Sequence, residues 1–237
     1  MLSYERKKNL FSSSILHPDR VVKWLAESFS AARPDRYGKV LARKICSSAP
    51  RSTPAPISKV KITDAFFAPY LEKIRTITAP DVLEKFLRDG AIENYNRVAR
   101  GERGGHAGPP WYHGLIDEVV RGISDLLAAS PDPALERKLD AIVDAVAAAQ
   151  GEDGWLHPYV TLECPDKLWG LNGGNVRWQH ETYDAGCLIE AGVHHYAATG
   201  KTRLLGCAVK CANYLASASE SRRNGTSSAS TPSRSSP

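Results

Sequence analysis

The stretch NVRWQHETYDAGCLIEAGVHHY, residues 175–196, concentrates groups that could do chemistry. His180, Glu181 and Asp184 read as H-E-x-x-D. In the zinc-protease helix H-E-x-x-H, two histidines one turn apart hold the metal and the glutamate acts as base. Aspartate also ligates zinc, so the variant is chemically feasible, but no third ligand is identifiable. Helix capping explains the same residues more simply, because acids in a first turn favour the positive end of the helix dipole. At helical spacing His180, Asp184, Cys187, Ala191 and His194 share one stripe. His180 sits at its loop end, where a ligand could reach it. His194 lies roughly 20 Å further along the helix, so the two cannot share a ligand. His194 and His195 read as structural.

Aromatic residues surround that stretch. Trp111, Trp155, Trp169 and Trp178 fall within one region, joined by Tyr112, Tyr159 and Tyr183. Aromatic faces in a cleft, with His, Asp and Asn nearby, suit carbohydrate: rings stack on C–H faces and polar groups bind hydroxyls. Large core residues are the plainer alternative. In QGEDGWLHPY, residues 150–159, Gly154 permits a tight turn after a helix, which then presents Trp155 from a rigid loop.

The elements that must position these residues are helical. WYHGLIDEVVRGISDLLAAS has apolar residues at Leu115, Val119, Ile123, Leu126 and Leu127, a helical spacing. PDPALERKLDAIVDAVAAAQ follows with Leu135, Leu139, Ile142, Val146 and Ala149 on one face. ETYDAGCLIEAGVHHYAA and KTRLLGCAVKCANYLASA form the next pair. The two pairs are an internal repeat with a period near 70 residues: Leu135, Leu139, Ile142 and Val146 align with Leu204, Ala208, Cys211 and Leu215. Such hairpins stack because one alone cannot bury its apolar face. Long loops rich in Gly and Trp favour closure into an α/α barrel over an open solenoid. Upstream, VKITDAFFAPYLEKIR reads as a short strand-like alternation turning into a helix near Pro69, and PDVLEKFLRDG as a short helix ending at Gly90.

The chain has 237 residues, 42% hydrophobic and 24% charged, with a net charge of +5. Residues 1–59 hold 12 Lys/Arg against 4 Asp/Glu, whereas 60–215 hold 16 against 21. The basic excess therefore sits in flanks, which argues against nucleic-acid binding. No apolar run is long enough to span a membrane, and no signal peptide is legible, so the expected location is the cytoplasm. Five cysteines without a C-x-x-C pair are not a disulfide framework. Cys207 and Cys211, four apart, read as small core residues in preference to metal ligands. Three segments result: a weakly structured basic lead and linker over 1–59, a patterned helical domain over 60–215, and a disordered Ser/Arg-rich tail over 216–237.

PPWYHGLIDEVVRGISDLLA, AAAQGEDGWLHPY and WGLNGGNVRWQHETYDAGCLIEAGVHHYAATGKTRLLGCAVKCANYL together resemble the N-terminal part of glycoside hydrolase family 127, the β-L-arabinofuranosidases. The resemblance runs from about Val60 to Leu215. It implies an (α/α)6 barrel followed by β-sandwich domains, and retaining hydrolysis of terminal L-arabinofuranosides. It also implies a zinc-bound cysteine nucleophile beside further cysteines and a glutamate, with a separate glutamate as acid/base. All of these lie downstream of the matched region, so no catalytic residue, and no metal, is expected in this chain. The substrate-binding residues implied or suggested here are His180, Asp153, Trp155, Trp178 and Tyr183. Two positions depart from the family's habit: His113 stands where relatives often have Asp, and Asp184 where they often have Asn.

The expected fold is all-α, an incomplete (α/α)6 barrel of helical hairpins. The expected function is that of a glycosidase-family fragment, inactive alone, holding part of a cleft for L-arabinofuranosyl ends. Uncovered hairpin faces predict self-association. The alternative is a non-catalytic helical-repeat module that binds carbohydrate or protein.

Overall fold

The computed structural model describes Ala55 and residues 57–223, with side chains up to residue 218. The expectations for the basic lead, for its helix PDRVVKWLAESFSAA and for the end of the tail lie outside the described residues. Every element among the described residues is helical. The strand-like alternation near Val60 forms no strand; those residues are exposed and unpaired with any sheet.

The first long helix is built from α1 (Phe67–Lys73), one π-type turn (Ile74–Thr78) and α2 (Ala79–Arg88). The sequence suggested two separate helices here, one near Pro69 and one over PDVLEKFLRDG. Pro80 lacks the N–H of the α-helical ladder, and a wider turn just before it lets the chain continue without a break. Gly90, in the left-handed region at φ 82°, then turns the chain into α3 (Ala91–Ala99). The repeat comprises α4 (Tyr112–Ala129) and α5 (Pro133–Ala149), then α8 (Glu181–Thr199) and α9 (Arg203–Arg223). Two short helices, α6 (Pro158–Glu163) and α7 (Val176–Gln179), lie in the long connection between the pairs. Because α9 reaches Arg223, the first part of the segment read as a disordered tail is helical.

The helices sort into two layers: α4 packs along α8, while α3, α5 and α9 pack in sequence, with α8 also against α9. Within the first layer α4 and α8 run in register. Arg121 pairs with Glu190, His194 with Asp125 at 2.7 Å, and Cys187 approaches Glu118 at 3.9 Å; each pair is 69 residues apart. Equivalent repeat positions therefore face one another directly. Between the layers, Leu135, Leu139, Ile142 and Val146 are buried, as are Leu204, Ala208 and Cys211. Cys207 and Cys211 are free thiols in this core. Asp132 caps α5, its Oδ1 accepting from the amides of Ala134 and Leu135, with Pro133 preorganised behind it.

The buried stripe of α4 differs from the expected one by about one residue. Ile116, Val120, Ile123 and Leu127 face the core, whereas Leu115 is 40% exposed. The inward face also carries His113, Asp117 and Ser124, all buried. A pattern search that counts only apolar residues as inward is drawn off such a face.

Candidate functional site

The connection 150–180 is held rigidly on the second repeat. Gln150 Nε2 donates to the carbonyls of Gly154 and Cys207, both at 2.9 Å. Gly154, at φ 96°, lies against the α9 backbone; a Cβ there would meet the Lys210 carbonyl oxygen at 2.3 Å. Only glycine satisfies both the conformation and the approach. Asp153 Oδ1 accepts from the Trp155 amide at 2.9 Å and closes the turn. Trp155 is thereby placed against Trp169 and Tyr214, with ring centroids 5.0 and 5.2 Å away. Asp153 and Trp155 line one side of an open cleft of about 400 Å³, with Arg103, Glu102, Thr161 and Leu168 among its other walls.

A second aromatic group forms where α7 meets α8. Asn175 caps α7 through Oδ1, which accepts from the Trp178 amide at 3.0 Å. His180 then takes the left-handed conformation at φ 57°, ψ 22°, and breaks what would be one helix into two. Its ring stacks on Trp111 with centroids 4.8 Å apart and planes 21° apart. Trp178 meets Trp111 edge-on at 4.8 Å, and Tyr183 meets His180 edge-on at 5.9 Å. Trp178 and Tyr183 are 55% and 56% exposed, so the group presents open ring faces. The Tyr183 hydroxyl donates to Glu118, and that bond pushes the phenol up to about 12. Left-handed backbone at a non-glycine residue costs of order 1–3 kcal/mol, and Trp169, Asn172 and His180 all adopt it. Strain is thus concentrated in the segment that carries the aromatic residues.

The five residues singled out from the sequence consequently fall into two groups. Trp178, His180 and Tyr183 gather around Trp111. Asp153 and Trp155 gather around Trp169 and Tyr214. Sequence reasoning did not assign Trp111 a place beside His180, nor Glu118 beside Tyr183.

Glu181 and Asp184 are not solvent-facing residues of a helix start. Both are buried. Glu181 accepts from the Trp169 amide at 2.8 Å and so ties the loop to α8. Asp184 points inward at His113 and His157: its Oδ2 lies 3.3 Å from His113 Nε2 and 3.8 Å from His157 Nε2. The H-E-x-x-D pair of ligands does not form, because His180 stands outside the helix and faces Trp111. Burial, reinforced by the Asp117 and Glu118 carboxylates, pushes Asp184 up to about 8. Burial lowers His157 to about 4 and holds His113 well below the usual imidazole range. Burial thus works against the charged form of both partners of the His113–Asp184 contact. Asp117, equally buried, is raised well above the carboxylate range by desolvation.

The family resemblance implies a zinc-bound cysteine downstream of the matched residues. The described cysteines are free, and the one described cluster with metal-ligand geometry, His113, His157 and Asp184, contains no thiol. No step through a metal-bound thiolate can be built from these residues.

Comparisons with known proteins converge on one family. The non-reducing end β-L-arabinofuranosidase of Bifidobacterium longum subsp. longum is 32% identical over 113 residues, 44% of this chain and 17% of that protein. The solved structure of a GH127 β-L-arabinofuranosidase from Geobacillus stearothermophilus T6 superposes with a TM-score of 0.61 at 32% identity, covering 66% of this chain and 25% of that one. A second GH127 β-arabinofuranosidase structure gives 0.61 at 30% identity, over 67% and 26% of the two chains. The chain thus spans about a quarter or less of the length of these relatives. The helical layers described above match the barrel-type fold of these neighbours. The family description "Beta-L-arabinofuranosidase, GH127 catalytic domain" matches residues 59–235, and the chain belongs to that family.

Proposed function

We propose that this chain supplies one wall of a carbohydrate cleft of the β-L-arabinofuranosidase type, for terminal L-arabinofuranosyl groups. The observation that carries the reading is His180: a strained corner holds its ring on Trp111, between the exposed rings of Trp178 and Tyr183. Open aromatic faces accept the C–H face of a furanose, and the imidazole edge bonds its hydroxyls. Asp153 and Trp155 contribute a further section of the wall at the neighbouring cleft. Retaining hydrolysis needs a nucleophile and an acid/base across the scissile bond. The reading assigns neither role to a described residue, so the chain binds the sugar without cleaving it.

The test follows tryptophan fluorescence of the purified chain during titration with L-arabinose and a methyl β-L-arabinofuranoside. It is paired with incubation with an aryl L-arabinofuranoside in the presence of zinc. Saturable quenching without release of the aryl group is expected. Clear turnover would overturn the assignment of no catalytic role, and the absence of any saturable response would sink the binding role.

A second reading, self-association, is favoured by the exposed apolar residues from Phe66 through the π-type turn. Phe66 and Ile77 are 64% and 63% exposed, with Phe67 and Tyr70 exposed beside them. Contiguous apolar surface of this kind marks an interaction site. Light scattering across a concentration series tests it; a monomer at every concentration would remove it. No helix among the described residues is long and apolar enough to cross a membrane.

A further inference from the structure

Beneath the aromatic wall lies a group of side chains that sugar binding does not use. His113 stands at the start of α4, His157 caps α6 and Asp184 lies in the first turn of α8. Each is at most 3% exposed. One ligand atom from each lies within 4.8 Å of the other two. Neither Asp184 carboxylate oxygen accepts a hydrogen bond of good geometry, although Oδ2 approaches His113 Nε2 at 3.3 Å, and the His113 ring also faces the Pro110 backbone. A buried carboxylate served only by two imidazoles at poor hydrogen-bond geometry is under-satisfied, and a cation between the three groups would satisfy it.

The geometry points to a structural zinc site formed by His113, His157 and Asp184. A tetrahedral zinc with bonds of ~2.0–2.1 Å has ligand–ligand edges of about 3.3 Å. The His113–Asp184 separation of 3.3 Å already equals that edge, and the His157–Asp184 separation of 3.8 Å needs only slight closure. Two imidazoles and one carboxylate suit zinc, whereas magnesium and calcium take oxygen ligands. Complete burial leaves no position open to a substrate, which makes the site structural and not catalytic. It would clamp together the starts of α4 and α8, the two segments that carry Trp111 and His180.

Loading has a defined proton balance. His157 Nε2 donates to the Gln179 carbonyl at 2.8 Å, and its Nδ1 accepts from the Val160 amide at 3.3 Å. To ligate through Nε2, the ring moves its proton to Nδ1 and gives up both bonds. Asp184 binds as the carboxylate, so any proton it carries leaves to solvent. Two neutral hydrogen bonds are a small loss beside the binding of a structural zinc ion.

The full chain, stripped with a chelator, is titrated with zinc alone and then with cobalt as a spectroscopic probe. Readouts are retained zinc by elemental analysis, melting temperature and the cobalt visible spectrum. One retained zinc per chain, a raised melting temperature and tetrahedral cobalt bands without sulfur charge-transfer absorption are expected. His113→Gln and Asp184→Asn, each checked for helicity by circular dichroism, should weaken binding at least ~100-fold, while His106→Gln should not. No zinc retained by the wild-type chain, thiolate bands in the cobalt spectrum, or unchanged affinity in both folded variants would each overturn the site. If neither variant folds, the wild-type cobalt spectrum decides. Sugar titration is a separate readout, so failure here leaves the carbohydrate reading testable on its own.

Discussion

Gly114 occupies the space beside the Asp184 carboxylate: a Cβ on Gly114 would sit 2.1 Å from Asp184 Oδ1. The closeness of α4 and α8 at their shared start depends on that missing methyl group. Gly114→Ala should lower stability by ~1–3 kcal/mol through overpacking, despite a gain in helix propensity of up to ~1 kcal/mol. Gly122 lies in the same helix with nothing within 4 Å of its Cβ position. Gly122→Ala should therefore raise stability by ~0.5–1 kcal/mol. Urea unfolding midpoints check both; equal effects of the two substitutions would refute the argument.

The pairing of Arg121 with Glu190 is a surface contact, with side chains 37% and 51% exposed. Its coupling should be small, ~0.2–1 kcal/mol, and screened by salt. A double-mutant cycle with Arg121→Ala and Glu190→Ala measures it. Coupling above that range, or coupling insensitive to salt, would show that the pair does more than hold register.

His180→Gly separates the two roles of that residue. Glycine accepts the left-handed corner at φ 57° without strain, so the melting temperature should hold or rise. The ring stacked on Trp111 is lost, so quenching by the arabinofuranoside should weaken by about tenfold, equivalent to ~1.4 kcal/mol. Unchanged sugar affinity in a folded variant would remove His180 from the wall.

Asp117 gives stability a pH dependence of known sign. Its folded value is raised by burial, whereas in the unfolded chain it titrates in the ordinary carboxylate range. The folded state therefore holds a proton that the unfolded state gives up. Stability from this group is intact below the ordinary value of 3.8 and declines as pH rises toward the folded value. Asp117→Asn should flatten the loss of stability as pH rises above 3.8. Chemical denaturation across that range measures the slope; an unaltered slope would contradict the assignment.

Much of the helical frame was legible in the sequence. Leu135, Leu139, Ile142 and Val146 form an unbroken apolar stripe, and the Asp-Pro start of α5 announces itself through capping chemistry. The repeat was visible because both second helices keep their core spacing. The continuity of α1 and α2 was not, because Pro80 reads as a break unless the preceding turn widens. The His113–His157–Asp184 cluster escaped for another reason. Its members come from three separate elements, and no local spacing encodes their meeting. From the sequence Asp184 could be set only beside His180, which is near in sequence but faces away, or read as a helix-start residue. The left-handed state of His180 was equally hidden, since nothing in a histidine's chemistry marks it for that conformation.

The matched positions along α4 and α8 have a genetic consequence. Their facing side-chain pairs act as a gauge of length inside the helices and are blind to length outside them. Residues added to the turn after α4, or to the long connection before α8, leave every pair facing its mate. One residue inserted within either helix turns all that follows by ~100° and sends the charges past one another. Insertions and deletions among homologous chains should therefore crowd into the connections and spare these two helices.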